Sequence, residues 1–159
     1  MNKKVKMLTQ GAIIAALYVL LTYLAAAMGL SSGVIQVRFS EALCILPYFT
    51  PAAIPGLAVG CLLANFLTGS AAWDVLFGSL ATLIGAIAAR MLRKHKWLVP
   101  LPSVLANMIV VPPVLMYVYG AEEAYPFLVM TVGIGEVISI YGLGMLLLFA
   151  LEKRKKIFE

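Results

Sequence analysis

The chain has 159 residues, of which 63% are hydrophobic and 12% are charged. A soluble domain of this size does not tolerate so apolar a surface, so the composition excludes a soluble globular domain and predicts a single membrane domain, residues 1–159. The net charge of +5 is explained by basic anchors beside anionic lipid, and we expect no binding to nucleic acid.

The basic residues predict how the chain lies in the bilayer. Eleven of the twelve fall in three short clusters. Loops rich in Lys and Arg normally stay in the cytoplasm, so all three clusters, and with them both chain termini, are predicted to be cytoplasmic. Each interval between two clusters must then contain an even number of crossings. The clusters are Lys3, Lys4 and Lys6; Arg90, Arg93, Lys94 and Lys96; and Lys153, Arg154, Lys155 and Lys156.

Charge-free stretches and prolines divide the chain into spans. The stretch between Glu41 and Asp74 is too long for one crossing, and Pro47, Pro51 and Pro55 interrupt it because proline lacks the amide donor that a helix needs. The first stretch has the lysines and alanines of a signal peptide, but its apolar run is too long for one. The sequence therefore predicts an all-α membrane protein, a bundle of six transmembrane helices. The predicted spans are residues 7–28, 39–49, 53–69, 73–92, 98–119 and 125–151.

Small residues and cysteines predict packing within this bundle. Ala12 and Ala16 are four residues apart, as are Gly56 and Gly60, so each pair leaves one helical face smooth enough for close approach by another helix. Packing inside the chain would explain both pairs. The two cysteines form no CxxC motif and lie in apolar stretches, which predicts small buried side chains.

Six polar residues inside the apolar body are candidates for function. An ionisable group at membrane depth costs about 2.5–3.5 kcal/mol, so it faces the bundle interior and usually has a role. The predicted topology places all six in the outer half of the membrane, with the deepest about 16 Å below the outer start of the sixth span. We therefore expect them to converge on a cavity that opens to the outside. They are Arg38, Glu41, Asn65, Asp74, Asn107 and Glu136, of which Glu136 and Asn107 lie at similar depths.

The charged residues nearer the surface also have structural explanations. Arg38 and Glu41 are three residues apart and can pair with one another on a helix face. Asp74 can cap the start of the fourth span, where a carboxylate suits the free backbone amides. These alternatives stay open from the sequence alone.

Three of the remaining candidates also have structural explanations, and one does not. Interhelical hydrogen bonding would explain Asn65 and Asn107 without a ligand. Trp73 is either a headgroup anchor or a surface on which a ring stacks. Glu136 has no such explanation, because no basic residue lies near it in the sequence and its depth denies it water. It is the strongest functional candidate.

Three segments of the chain resemble a known family. The runs at 36–43, at 46–56 and at 74–82, which read QVRFSEAL, LPYFTPAAIPG and DVLFGSLAT, are similar to the queuosine-precursor transporters known as QueT. These are substrate-binding S-components of energy-coupling factor (ECF) transporters. The resemblance implies six helices in a bacterial plasma membrane, with both termini inside. It also implies that Ala12 and Ala16 contact the shared membrane coupling subunit, and that two ABC-type ATPases supply the energy.

The resemblance implies a 7-deazaguanine ligand such as preQ1 or queuine. Its ring offers two parallel donors, N1–H and the 2-amino group, and a single carboxylate accepts both as a bidentate pair. We assign that role to Glu136. Further roles are assigned as hypotheses: Asn107, Asn65 or Arg38 donates to O6, Asp74 or Glu41 binds an aminomethyl cation, and Trp73 or Phe39 stacks on the ring.

Other function classes fit the sequence less well. The chain has no GxxxxGK[ST] phosphate loop, so it does not hydrolyse ATP by that machinery. His95 lies in the inner basic loop and Asp74 is the single aspartate, which leaves no protease constellation. No metal-ligand spacing or cofactor motif is present. The alternatives kept open are an S-component for another water-soluble vitamin and a secondary transporter acting alone.

Overall fold

The computed structural model describes residues 2–31 and 34–158, which form helices and, within those ranges, no strand. The all-α prediction is therefore confirmed. The main helices are α1 (Lys3–Ala27), a 3₁₀ helix (Phe39–Tyr48), α2 (Ala53–Leu67), α3 (Ala72–Met91), α4 (Leu101–Tyr117), α5 (Tyr125–Glu136), a π-helical segment (Val137–Gly144) and α6 (Met145–Glu152).

Among the described residues, four helices are long and apolar enough to cross a membrane. The last of them is continuous, because α5, the π-helical segment and α6 follow one another without a break. The predicted second and third spans correspond to shorter apolar helices of 10 and 15 residues. At about 2.0 and 1.5 Å per residue, these reach roughly 20 Å, short of about 30 Å of hydrocarbon. The number of crossings therefore stays a prediction.

The short 3₁₀ helix lies at the centre of the bundle. Its residues from Ser40 to Pro47 are all buried, and it packs against α1, α3 and the π-helical segment. Arg90 of α3 stabilises its end, since one guanidinium nitrogen, Nη1, donates to the carbonyl oxygens of Pro47 at 2.9 Å and Tyr48 at 3.3 Å. These contacts satisfy carbonyls that a helix end leaves without intrahelical partners.

Glycines let α1 and α2 pack closely. A Cβ on Gly60 would lie 2.7 Å from the Cβ of Tyr18, and one on Gly56 would lie 2.8 Å from the carbonyl oxygen of Gly11. Such distances leave no room for a side chain, so the internal-packing interpretation is confirmed for the glycines. It is wrong for Ala12 and Ala16, because both are exposed on α1. The two cysteines are buried and free, as predicted.

A candidate ligand cavity between the helices

One cavity brings together five of the eight residues predicted to bind a ligand. Its volume is about 180 Å³, and its walls come from the 3₁₀ helix, from α2 to α5 and from the connections that precede the 3₁₀ helix and α5. Apolar side chains of α4 and α5, including Val111, Leu115 and Leu128, line it beside the polar ones. The five are Arg38, Glu41, Asp74, Asn107 and Glu136.

Glu136 lies where α5 gives way to the π-helical segment. π-Helical segments within α-helices occur often at functional sites. The side chain is buried, and its Oε2 atom has no hydrogen-bond partner among the described residues. The side-chain amide of Asn107, from α4, approaches the same carboxylate. A buried carboxylate oxygen without a partner costs free energy, so this atom is suited to accept a hydrogen bond from a ligand.

Local backbone contacts hold the segment before the 3₁₀ helix against this π turn. A Cβ on Gly135 would overlap the carbonyl oxygen of Gln36, so glycine is required for the close approach. The backbone N–H of Arg38 donates to the Ser139 hydroxyl at 3.1 Å, and that hydroxyl donates to the Gly135 carbonyl at 2.8 Å. These contacts place Arg38 in the same cavity as Glu136, although the two are far apart in sequence.

The second buried glutamate, Glu41, already has partners for both carboxylate oxygens. Oε1 accepts a hydrogen bond from the hydroxyl of Tyr18 on α1, and Oε2 accepts one from the thiol of Cys44 at 3.2 Å. Sequence reasoning did not single out Tyr18. The feature that could have identified it is the presence of a tyrosine inside an apolar span, because a buried phenol hydroxyl needs a hydrogen-bond partner. Glu41 is therefore a satisfied carboxylate in the cavity wall, in contrast to Glu136.

Arg38 does not pair with Glu41. Over residues 2–31 and 34–158, the Arg38 guanidinium forms no ion pair and no hydrogen bond, so the structural explanation offered for this pair is wrong. The side chain lines both this cavity and a neighbouring one of about 400 Å³. Five N–H donors in a rigid fork are thus held beside the cavity without an anionic partner in direct contact.

Asp74 is fixed at the junction of the two cavities. It lies in the first turn of α3, where the sequence analysis placed it and where a carboxylate suits the helix N-terminus. The capping hydrogen bond itself is absent among the described residues. Instead, its Oδ2 accepts a hydrogen bond from the hydroxyl of Tyr119 at 2.8 Å. The Tyr119 oxygen also accepts the backbone N–H of Ala71 at 3.1 Å. Tyr119, just beyond α4, is a second residue that sequence reasoning missed.

The other predicted residues lie outside the first cavity. Asn65 lines the neighbouring cavity together with Arg38 and Asp74, and its amide nitrogen lies 3.6 Å from the sulfur of Cys61. Trp73 and Phe39 line neither of these two cavities. The Trp73 side chain is 58% exposed, which favours its role as an anchor.

Aromatic surface in the first cavity comes from a different residue. Phe127 of α5 is part of the lining, whereas Trp73 stacks on Phe77 with ring centroids 5.7 Å apart. Sequence reasoning did not select Phe127, because nothing in its apolar stretch distinguishes it. The described residues contain no group of three side chains that could hold a metal ion.

Within the described part of the chain, the cavity holds a carboxylate with one unsatisfied oxygen, an unpaired guanidinium and an amide, and apolar helices enclose it. These features define a membrane protein suited to binding a small polar molecule. The family model described as "QueT transporter" matches residues 8–153, and the chain belongs to this family. The prediction made from residues 36–82 is therefore confirmed.

A curated relative supports the same assignment over part of the chain. The chain is 43% identical over 74 residues to the protein named "Queuosine precursor transporter QueT" from Lactococcus lactis subsp. cremoris (strain MG1363). The matched stretch covers 46% of this chain and 43% of that relative. No solved structure matches the chain.

Proposed function

We propose that this chain is the substrate-binding S-component of an ECF transporter and that it takes up a queuosine precursor, a 7-deazaguanine, across a bacterial plasma membrane. Membership of the QueT transporter family and the name of the Lactococcus relative support the transport role and the class of ligand. The polar residues of the cavity support this class of ligand on chemical grounds.

The observation that carries the proposal is the unpartnered oxygen of Glu136. The carboxylate is buried and no described residue satisfies Oε2, so this atom is available to a hydrogen-bond donor of a bound molecule. A guanine-type edge, with its parallel N1–H and 2-amino donors, fits both oxygens of one carboxylate at once. A ring without those donors would leave the carboxylate unpaired, which is the kind of site that discriminates strongly between ligands.

The other polar residues complete this arrangement. Asn107 lies beside Glu136 and is positioned to donate to the ring carbonyl O6, a role that Arg38 can share. Asp74 is the better candidate for an aminomethyl cation, since Tyr119 engages one carboxylate oxygen and leaves the other. Glu41 is less suited to that role, because Tyr18 and Cys44 occupy both of its oxygens.

We further propose six crossings with both termini in the cytoplasm, so that the cavity opens to the outside. The acidic connection before α5 contributes Glu123 to the cavity lining. Cations gather at other places in the fold: Arg93, Lys94 and Lys155 line a separate pocket, and Lys96 pairs with Glu152. Under the positive-inside rule, those cations mark the cytoplasmic end, and the acidic connection marks the outer one.

Energy for uptake is proposed to come from partner subunits. Ala12 and Ala16 are exposed on α1, so they are available to a membrane coupling subunit. The chain has no phosphate loop, and two ABC-type ATPases would supply ATP hydrolysis. No cofactor or metal is part of the proposal.

A thermal-shift panel on the detergent-purified chain tests the class of ligand. We expect preQ1, preQ0 or queuine to raise the unfolding temperature, because a ligand at about 100 times its Kd stabilises the folded state by roughly 2.7 kcal/mol. Guanine and adenine serve as ring controls, and adenine should have no effect because it lacks the N1–H donor. Stabilisation by a water-soluble vitamin, with none by the deazaguanines, would contradict the proposed substrate.

A further inference from the structure

A second pocket lies among aromatic and basic residues at or after the ends of three helices. A pocket of about 360 Å³, here called the basic pocket, is lined by Tyr48, Phe49, Arg93, Lys94, Lys155 and Phe158. Two of its cations follow the end of α3, and the third follows the end of α6. None of the residues assigned to the ligand cavity lines it.

Among residues 2–31 and 34–158, no carboxylate neutralises the positive charge of the basic pocket. No described carboxylate lines it, and within those ranges Arg93, Lys94 and Lys155 form no ion pair. The nearby carboxylate of Glu152 is already engaged, accepting Lys96 Nζ at 3.3 Å and the hydroxyl of Tyr48 at 3.0 Å. Three converging cations without a counterion favour an anion in the pocket.

The aromatic side chains that line the basic pocket, here called the aromatic wall, indicate which kind of anion fits it. Phe49 stacks on Phe158 with ring centroids 4.9 Å apart, and Tyr48 meets Phe49 edge-on at 4.8 Å. Lys155 Nζ lies 6.0 Å from the centre of the Tyr48 ring, so cation and aromatic surface are adjacent. A free inorganic ion would contact only the cations. A molecule that carries a phosphate on an apolar body would contact both the cations and the aromatic rings.

The position of the pocket along the helices points to the membrane boundary. Arg93 and Lys94 lie two and three residues after the end of α3 (Ala72–Met91), and Lys155 lies three residues after the end of α6 (Met145–Glu152). Both helices are apolar and belong to candidate membrane spans, so their ends mark the edge of the hydrocarbon. A phosphate held there would lie at the level of the lipid headgroups.

We propose that the basic pocket binds the phosphate headgroup of an anionic phospholipid, with the glycerol backbone and the start of an acyl chain against the aromatic wall. Arg93, Lys94 and Lys155 bind the phosphodiester, and Phe49 and Phe158 contact the apolar part. On the proposed orientation of the chain, this lipid belongs to the cytoplasmic leaflet. Lipid binding at this site does not depend on the substrate of the ligand cavity.

Native mass spectrometry of the detergent-purified chain, titrated with phosphatidylglycerol or phosphatidylcholine, tests this proposal. We expect one tightly bound phosphatidylglycerol per chain and much weaker binding of phosphatidylcholine. Each cation near a headgroup contributes a factor of about five to affinity, so the variant Arg93→Gln/Lys94→Gln/Lys155→Gln should bind phosphatidylglycerol at least about tenfold more weakly. All three side chains lie at or near the helix ends and are exposed, so the fold should be retained.

A charge-matched control separates a specific site from general attraction. The variant Lys3→Gln/Lys4→Gln/Lys6→Gln removes three cations that do not line the pocket, and it should bind phosphatidylglycerol within about twofold of the parent chain. Equal losses in the two triple variants would overturn the proposal. So would displacement of the lipid by millimolar inorganic phosphate, which would indicate a soluble phosphate ligand. Binding of the coupling complex, but not of lipid, by this surface would equally overturn it and indicate a protein interface.

Discussion

Replacement of Glu136 by glutamine is expected to weaken binding of a 7-deazaguanine by at least about tenfold. The substitution keeps the shape of the side chain but replaces one acceptor oxygen with an amide that donates. That amide would face a donor on the ring, and the charge-assisted hydrogen bond lost is worth about 1.5–3 kcal/mol, or roughly 10- to 150-fold in affinity. Isothermal titration of purified protein with preQ1 measures the change.

The design of this experiment includes a matched control and a second measurement. Glu122→Gln makes the same chemical change at an exposed position outside the cavity lining, and ligand affinity should stay within about twofold of the parent chain. The unliganded Glu136→Gln protein should unfold at the same temperature or a higher one, because an unpaired buried carboxylate has been removed. Unchanged affinity in Glu136→Gln would remove this residue from the ligand site.

A tryptophan at Ala12 or Ala16 is expected to abolish uptake and leave ligand affinity intact. Both alanines are exposed on α1, whereas the internal contacts with α2 are made through Gly11, Ala15 and Tyr18. A large ring on the exposed face would therefore prevent close approach by a coupling subunit without disturbing the fold. Uptake of labelled ligand into cells, compared with binding to purified protein, separates the two effects.

The same substitution on another exposed surface is the control. Ala150 of α6 is also exposed, and Ala150→Trp should leave uptake within about twofold because single exposed substitutions outside an interface have small effects. Loss of ligand binding in Ala12→Trp would contradict the proposed partner role, because the substitution would then act on the fold or on the ligand site. Full uptake in cells that lack a coupling subunit would indicate a transporter that acts alone.

Charge placement and proline positions were sufficient to predict most of the helices. The first and fourth predicted spans, 7–28 and 73–92, agree closely with Lys3–Ala27 and Ala72–Met91. Long apolar stretches bounded by charge leave few alternative structures in a bilayer. The segment after Arg38 was harder to predict, because a proline-interrupted stretch can form either an α-helix or the 3₁₀ helix observed, and tertiary contacts decide between them.

The composition of the cavity could be predicted, but its hydrogen bonds could not. Buried charge in an apolar chain is rare and costly, so residues such as Glu136 stood out from the sequence alone. The partners of Glu41 and Asp74 come from distant positions, Tyr18 and Tyr119. No local spacing relates these pairs, since they depend on how α1 and the end of α4 pack against their neighbours.

The prediction of aromatic residues shows the same limit. Trp73 was a candidate to stack on the ligand ring and is next to Asp74 in the sequence, but successive residues of a helix point about 100° apart. The Trp73 side chain faces outward while that of Asp74 lines the cavity. Phe127 reaches the cavity from α5. Which apolar face of a membrane helix meets a cavity depends on its neighbours, and the hydrophobic pattern alone does not reveal it.

An experimental structure of the chain with bound preQ1 would test the central claim most directly. We expect the ring between α4 and α5, with N1 and the 2-amino nitrogen each about 2.7–3.2 Å from a carboxylate oxygen of Glu136. A ligand bound elsewhere, with Oε2 of Glu136 still unpartnered or facing lipid, would contradict the account.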